Sequence, residues 1–83
     1  MSDKPRRAKT SRELSQDPRR LKRRRIVARM NQSELALKAG CSAPYLCELE
    51  KGTYSASPAI LGGLADALGC DITDLMPAET VAA

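Results

Sequence analysis

The chain has no histidine, no phenylalanine and no tryptophan, and only two tyrosines in 83 residues. Without aromatics, a core must be built from Leu, Ile, Ala, Met and Cys. That suits a helical bundle better than a β-sandwich, which draws on aromatic and β-branched residues. No apolar run approaches the ~20 residues that span a bilayer. The basic N-terminus has no apolar h-region of the kind a signal peptide needs. A cytoplasmic location with no membrane partner is therefore expected. With no histidine and no C-x-x-C spacing, a zinc site is not expected. Cys41, Cys47 and Cys70 are odd in number, which argues against a disulfide framework. Cys41 and Cys70 fall on apolar positions, as small hydrophobes would. No nucleophile–base pair and no glycine-rich phosphate loop stand out, so neither an enzyme nor a cofactor is expected.

What the chain does have is charge, unevenly placed. Residues 1–30 carry twelve Lys and Arg against three Asp and Glu, a net of +9. Residues 31–83 carry two against seven, a net of −5. The overall +4 thus conceals a basic front and an acidic back. A concentrated positive patch is the electrostatic footprint of a polyanion-binding surface.

The length allows one small domain. Residues 1–16 are polar and basic without apolar periodicity, and are expected to form a disordered arm. Asp17 and Pro18 are a helix start: a cap, then proline where its missing N–H does no harm. A first helix is expected over 18–29, with Leu21, Ala28 and Ile26 inward and Met30 closing its end. Asn31 and Glu34 have capping-box spacing and open a second helix that stops at Gly40. Ser42 caps a third, which ends near Lys51 with Gly52 as its left-handed cap. Ser57 and Pro58 repeat the start signal for a fourth helix over 58–68, which Gly69 stops. Its apolar stripe is Ile60, Leu61, Leu64, Ala65 and Leu68. Gly62 and Gly63 inside it cost ~1 kcal/mol each relative to Ala, which suggests a close neighbour. A short last helix over 72–76 would cover the core with Ile72 and Leu75. The expected organisation is an arm at 1–16, an all-α domain at 17–77 and a tail at 78–83.

Residues 32–51 (QSELALKAGCSAPYLCELEK) are the most informative stretch. Leu35 and Ala39 share one face of the first of two short helices, and Leu46 and Leu49 share a face of the second. Ala36 stands where a larger side chain would separate the helices. Gly40 stands where the chain must turn without a Cβ penalty. This is helix-turn-helix geometry, in which the second helix can enter the DNA major groove.

Further pieces extend the pattern: Asn31-Gln32-Ser33-Glu34-Leu35-Ala36, Ala39-Gly40-Cys41-Ser42, Tyr45-Leu46, Leu49-Glu50-Lys51-Gly52, Leu64-Ala65-Asp66-Ala67-Leu68-Gly69 and Leu75. At these separations, residues 21–76 resemble the lambda-repressor/Cro-like (XRE) helix-turn-helix family. The resemblance implies a compact five-helix bundle that binds double-stranded DNA in a sequence-specific way. It assigns a phosphate grip to Gln32 at a helix N-terminus, with Asn31 as a second contact. It turns Ala43, Pro44, Cys47 and Glu48 toward the bases, beside the cap residue Ser42. Tyr45 could reach a phosphate through its hydroxyl or pack half-buried. The loop offering Lys51, Thr53, Tyr54 and Ser55 would meet backbone phosphates. Arg25 and Glu50 match a pair that forms an internal salt bridge in some members; the alternative is that Arg25 is one more exposed arginine.

The expected reading face is poor in donors. Ala43 and Pro44 can only pack against thymine methyls or sugars, and Glu48 can accept from cytosine but repels phosphate. Two readings follow. In one, the basic front compensates: residues 4–12, with Arg6 and Arg7, follow the duplex as an arm, and Arg19, Arg20 and Arg23 add phosphate contacts. The protein would then be a transcriptional regulator, in the simplest case a repressor bound as a homodimer to an inverted repeat. Leu75, Met76 and Val81 would be candidate dimer contacts, and activation would need only a small patch for RNA polymerase. In the other, the fold is a protein-interaction module, such as an antitoxin or regulatory adaptor. Its acidic back (Glu48, Glu50, Asp66, Asp71, Asp74) would then meet a basic partner.

Overall fold

The structure is a computed structural model and describes residues 14–78. The disorder expected of residues 1–13 and the frayed tail from 79 onward lie outside that range, as do Arg6, Arg7 and Val81. The described chain forms α1 (Pro18–Val27), α2 (Gln32–Ala39), α3 (Ala43–Lys51) and α4 (Pro58–Leu68), then a 3-10 turn at Ile72–Leu75. There is no strand among the described residues. The fold is therefore all-α, with four α-helices where five were expected. The fifth element is a single 3-10 turn. It still buries Leu75, but Ile72 stays exposed.

Each α-helix begins on the polar side chain expected to cap it. Asp17 accepts from the N–H groups of Arg19 and Arg20, and Asn31 accepts from Glu34 in a complete capping box. Ser42 and Ser57 accept from Tyr45 and Ile60. These bonds satisfy N–H groups that have no partner within the helix. The core is built of leucine and alanine. Leu21, Leu35, Leu46, Leu49, Leu64 and Leu75 are fully buried, and each stabilises the fold by about 1.5–3 kcal/mol relative to exposure. Helix α2 packs on α3 and α4, while α1 lies on α3 and the 3-10 turn. Ala36 is buried at the α2 seam. The close neighbour that the paired glycines suggested is α2: a Cβ built on Gly63 would stand 2.5 Å from the carbonyl oxygen of Ala39.

Helix α1 departs from expectation in two ways. Ile26 points outward at 56% exposure, beside Val27 at 73%, so it is not a core residue. Arg25 takes the inward place instead. The helix also stops at Val27, because Arg29 adopts φ 60, the left-handed conformation. The Met30 N–H then bonds the Arg25 carbonyl at 3.2 Å. The other three helices end with the same closing bond, from Cys41 to Ala36, Thr53 to Glu48 and Cys70 to Ala65. Those three put a glycine in the left-handed position; only α1 puts a side chain there. Replacing Arg29 with Gly therefore stabilises the domain by about 0.5–1 kcal/mol, net of glycine's greater freedom in the unfolded chain. Arg29→Ala, which keeps the strained conformation, gives no such gain. Thermal melts of the two variants check this.

The third departure is at the N-terminal boundary. Residues 14–16 are part of the folded unit, not of a disordered arm. Leu14 is buried against Gly52 and Pro18 lies beside the same glycine. The Gln16 side chain is completely buried. Its Nε2 donates to the carbonyls of Leu49 (3.1 Å) and Tyr54 (2.8 Å), and its Oε1 accepts from the Ala56 N–H (2.9 Å). Ser15 donates its backbone N–H to the Ser55 hydroxyl at 3.0 Å and its own hydroxyl to the Ala56 carbonyl. The Asp17 N–H closes onto the Leu75 carbonyl. This strap gives hydrogen-bond partners to the backbone of Leu49 at the end of α3 and of Tyr54 and Ala56 in the loop.

Candidate nucleic-acid interface

A charged node sits where α1, α2 and α3 meet. Arg25 donates from Nε and Nη2 to the two carboxylate oxygens of Glu50, at 2.6 and 3.1 Å, in a bidentate fork. A third bond runs from Arg25 Nη1 to the Met30 carbonyl at 3.0 Å. The side chains are 13% and 4% exposed. Hydrogen bonding to Glu50 raises the guanidinium pKa above its ordinary value, outweighing burial, which lowers it. Gln32 completes the node, its Nε2 donating to Glu50 Oε1 at 3.0 Å. The N-terminus of α2 is thereby held against the C-terminal end of α3. Arg25 is thus an internal strut, not an exposed arginine. Glu50 accordingly drops out of the acidic back proposed as a protein-binding face.

Two helix N-termini and one loop present themselves around this node. At the start of α2, Asn31 and Gln32 stand beside unpaired helix N–H groups, a favourable place for an anion. Asn31 is exposed and its Oδ1 is occupied by the cap. Its amide donors make no hydrogen bond among the described residues and remain available to a phosphate. Gln32 uses one N–H on Glu50 and keeps the other. At the start of α3, Ser42 and Pro44 are exposed, while Ala43 and Tyr45 are half-buried against the core. A turn later Cys47 and Glu48 are half-buried. Lys51 lies 3.9 Å from Glu48, a surface pair worth little but one that offsets the carboxylate's repulsion of phosphate.

The loop after α3 is tied back to it. The rings of Tyr45 and Tyr54 stack, with centroids 6.3 Å apart and planes 26° from parallel. Thr53 and Tyr54 are exposed, whereas the Ser55 hydroxyl is engaged by Ser15. Ser55 is therefore a holder of the strap rather than an open donor. On α1, Arg19 and Arg23 are exposed and make no ion pair among the described residues. Arg20 instead bonds the Met76 carbonyl at 3.1 Å, and Arg24 lies 3.6 Å from Asp74. The strap is barely marked in the sequence. Its one signal was Leu14, the only large apolar side chain between residues 2 and 20.

The cysteines are unpaired thiols. Burial pushes the Cys41 and Cys70 thiols up from their ordinary pKa, so both stay protonated near neutrality. No helix among the described residues is long and apolar enough to cross a membrane.

Two short helices joined at a left-handed glycine, with the second helix flanked by anion-favouring N-termini and a polar loop, define a helix-turn-helix DNA-binding domain. The profile of the helix-turn-helix family matches residues 21–75, about two thirds of the chain. The chain belongs to this family, of the lambda-repressor/Cro-like (XRE) kind. A search of curated proteins finds no match.

Proposed function

We propose that this protein is a cytoplasmic transcriptional regulator that binds an inverted repeat in double-stranded DNA as a homodimer and represses by occlusion. The observation that carries this reading is the Gln32–Glu50 bond within the Arg25 node. It draws the α2 N-terminus and the end of α3 to one edge, so that phosphate donors flank the reading helix. Asn31, Gln32, Lys51, Thr53 and Tyr54 hold the backbone. Ser42, Pro44, Cys47 and Glu48, with the edge of Ala43, face the bases, and Tyr45 supports the loop. Because this face offers few donors, much of the affinity comes from phosphate contacts by Arg19, Arg23 and the arm with Arg6 and Arg7.

Leu75 is spent in the core and is not a dimer contact. Exposed Ile72 and half-buried Met76 are the better candidates. An activating contact with RNA polymerase would use a surface away from α3. The interaction-module reading is weakened by the node and by Arg24, which engage Glu50 and Asp74.

A salt titration tests the proposal. With several phosphates contacted per dimer, affinity for duplex falls about 10³-fold or more between ~50 and ~200 mM salt. Removing residues 1–12 flattens that dependence. An unchanged slope would exclude the arm, and no duplex binding even at low salt would favour the interaction module.

A further inference from the structure

The family match begins at residue 21, yet residues 14–16 already pack and hydrogen-bond against the helices. The intervening strap does not merely cover a core edge. Every hydrogen bond of the Gln16 amide goes to backbone of the last turn of α3 or of the loop that follows it. The middle one holds the carbonyl of Tyr54, whose ring stacks on Tyr45 in the first turn of α3. A buried side-chain amide with an acceptor and two donors all satisfied fixes one arrangement of its partners, because losing any bond leaves a polar group dry and unpaired. The loop backbone, the tyrosine pair and the start of the reading helix are thereby one linked unit, and Gln16 is its anchor.

We propose that residues 14–16 are a working part of the DNA-binding unit, with Gln16 the positioning residue that sets the phosphate-facing loop and the Tyr45–Tyr54 pair on α3. The inference rests on the DNA-binding reading above. It extends the binding unit beyond the family core to include residues 14–16. It also separates two roles at the N-terminus. Residues before 14 contribute charge. Residues 14–16 contribute geometry. Leu14 and Pro18 lie beside Gly52, next to Lys51 and Thr53, so the strap sits against the end of α3.

The test compares the full chain with Gln16→Met and Gln16→Glu. Methionine keeps the volume and removes all three hydrogen bonds; glutamate keeps the acceptor and removes the donors. Two readouts are taken well below each variant's melting transition. One is affinity for a random-sequence duplex pool at low salt. The other is near-ultraviolet circular dichroism, which in a chain without Trp or Phe reports only Tyr45 and Tyr54, apart from any contribution of disulfides, which are absent among the described residues. Both variants are expected to bind about tenfold more weakly, the equivalent of ~1.4 kcal/mol, and to lose tyrosine ellipticity. If Gln16→Met does not fold, Ser15→Ala, which cuts only the hydroxyl bonds to Ser55 and Ala56, is expected to show the same two changes in smaller measure. Variants that are folded and merely less stable, with unchanged duplex affinity and tyrosine signal, overturn the inference while leaving the DNA-binding reading intact. A full chain that binds no duplex overturns both.

Discussion

Replacing Glu50 with Ala lowers the stability of the fold by about 3 kcal/mol and its melting temperature by roughly 12–24 °C. The carboxylate is 4% exposed and receives two bonds from Arg25 and one from Gln32. Its removal leaves a guanidinium, 13% exposed, with only the Met30 carbonyl for company. Arg25 cannot escape by losing its proton, because its pKa lies far above any working pH. The desolvation of the charge therefore remains without the attraction that offset it. The pair itself is a different quantity. Replacing both partners, Arg25→Met with Glu50→Leu, removes both charges together and recovers most of the lost stability. Thermal melts of Glu50→Ala and of the double variant measure the difference. A Glu50→Ala loss within about 0.5 kcal/mol would mean that the pair behaves as a surface ion pair. The same variant frees Gln32, so duplex affinity falls even at temperatures where the protein is folded.

Adjacent glycines in α4 are expected to respond in opposite directions to the same substitution. Gly63→Ala destabilises by about 2 kcal/mol, although alanine favours helix by ~1 kcal/mol. The new methyl would meet the Ala39 carbonyl oxygen at 2.5 Å. That atom belongs to helix backbone, so relief requires α2 and α4 to separate, which loosens the contacts around Ala36 and Ala65. Gly62→Ala places its methyl 3.9 Å from the Ile72 side chain, an ordinary contact, and so stabilises by about 0.5–1 kcal/mol. Urea denaturation of the two variants gives the signs directly. The same sign for both would contradict the close approach of α2 to Gly63.

These contrasts show which parts of the structure can be read from one sequence. Caps are local chemistry, so Asp17-Pro18, Asn31 with Glu34, Ser42 and Ser57-Pro58 marked their helices correctly. Gly40, Gly52 and Gly69 marked the ends for the same reason. Helix α1 ends at Val27, two residues before the expected end, because Arg29 takes a glycine's conformation, which no residue pattern announces. The chemistry of Ile26 alone points it inward. Only the assembled fold shows that Arg25, facing Glu50, occupies the inner side of that helix. The glycine pair signalled a close neighbour, but its identity depends on how α2 crosses α4. The strap was illegible because Gln16 bonds backbone far along the chain, and a buried glutamine looks like any other polar residue. Beside the candidate interface, the Asn31 cap and the Arg25–Glu50 pair were legible through spacing and resemblance. The engagement of Ser55 by Ser15 was not, since it follows from the strap.

A homodimer of the proposed kind reads a symmetric DNA site. The most direct test is repeated selection of bound duplexes from a random pool by the full chain. The expected result is enrichment of an inverted repeat whose half-site centres lie about 10 bp apart, one helical turn, as two copies of α3 on one face of the duplex require. Recovery of a pool with no enriched sequence, under salt conditions where other duplex-binding controls select theirs, would contradict it.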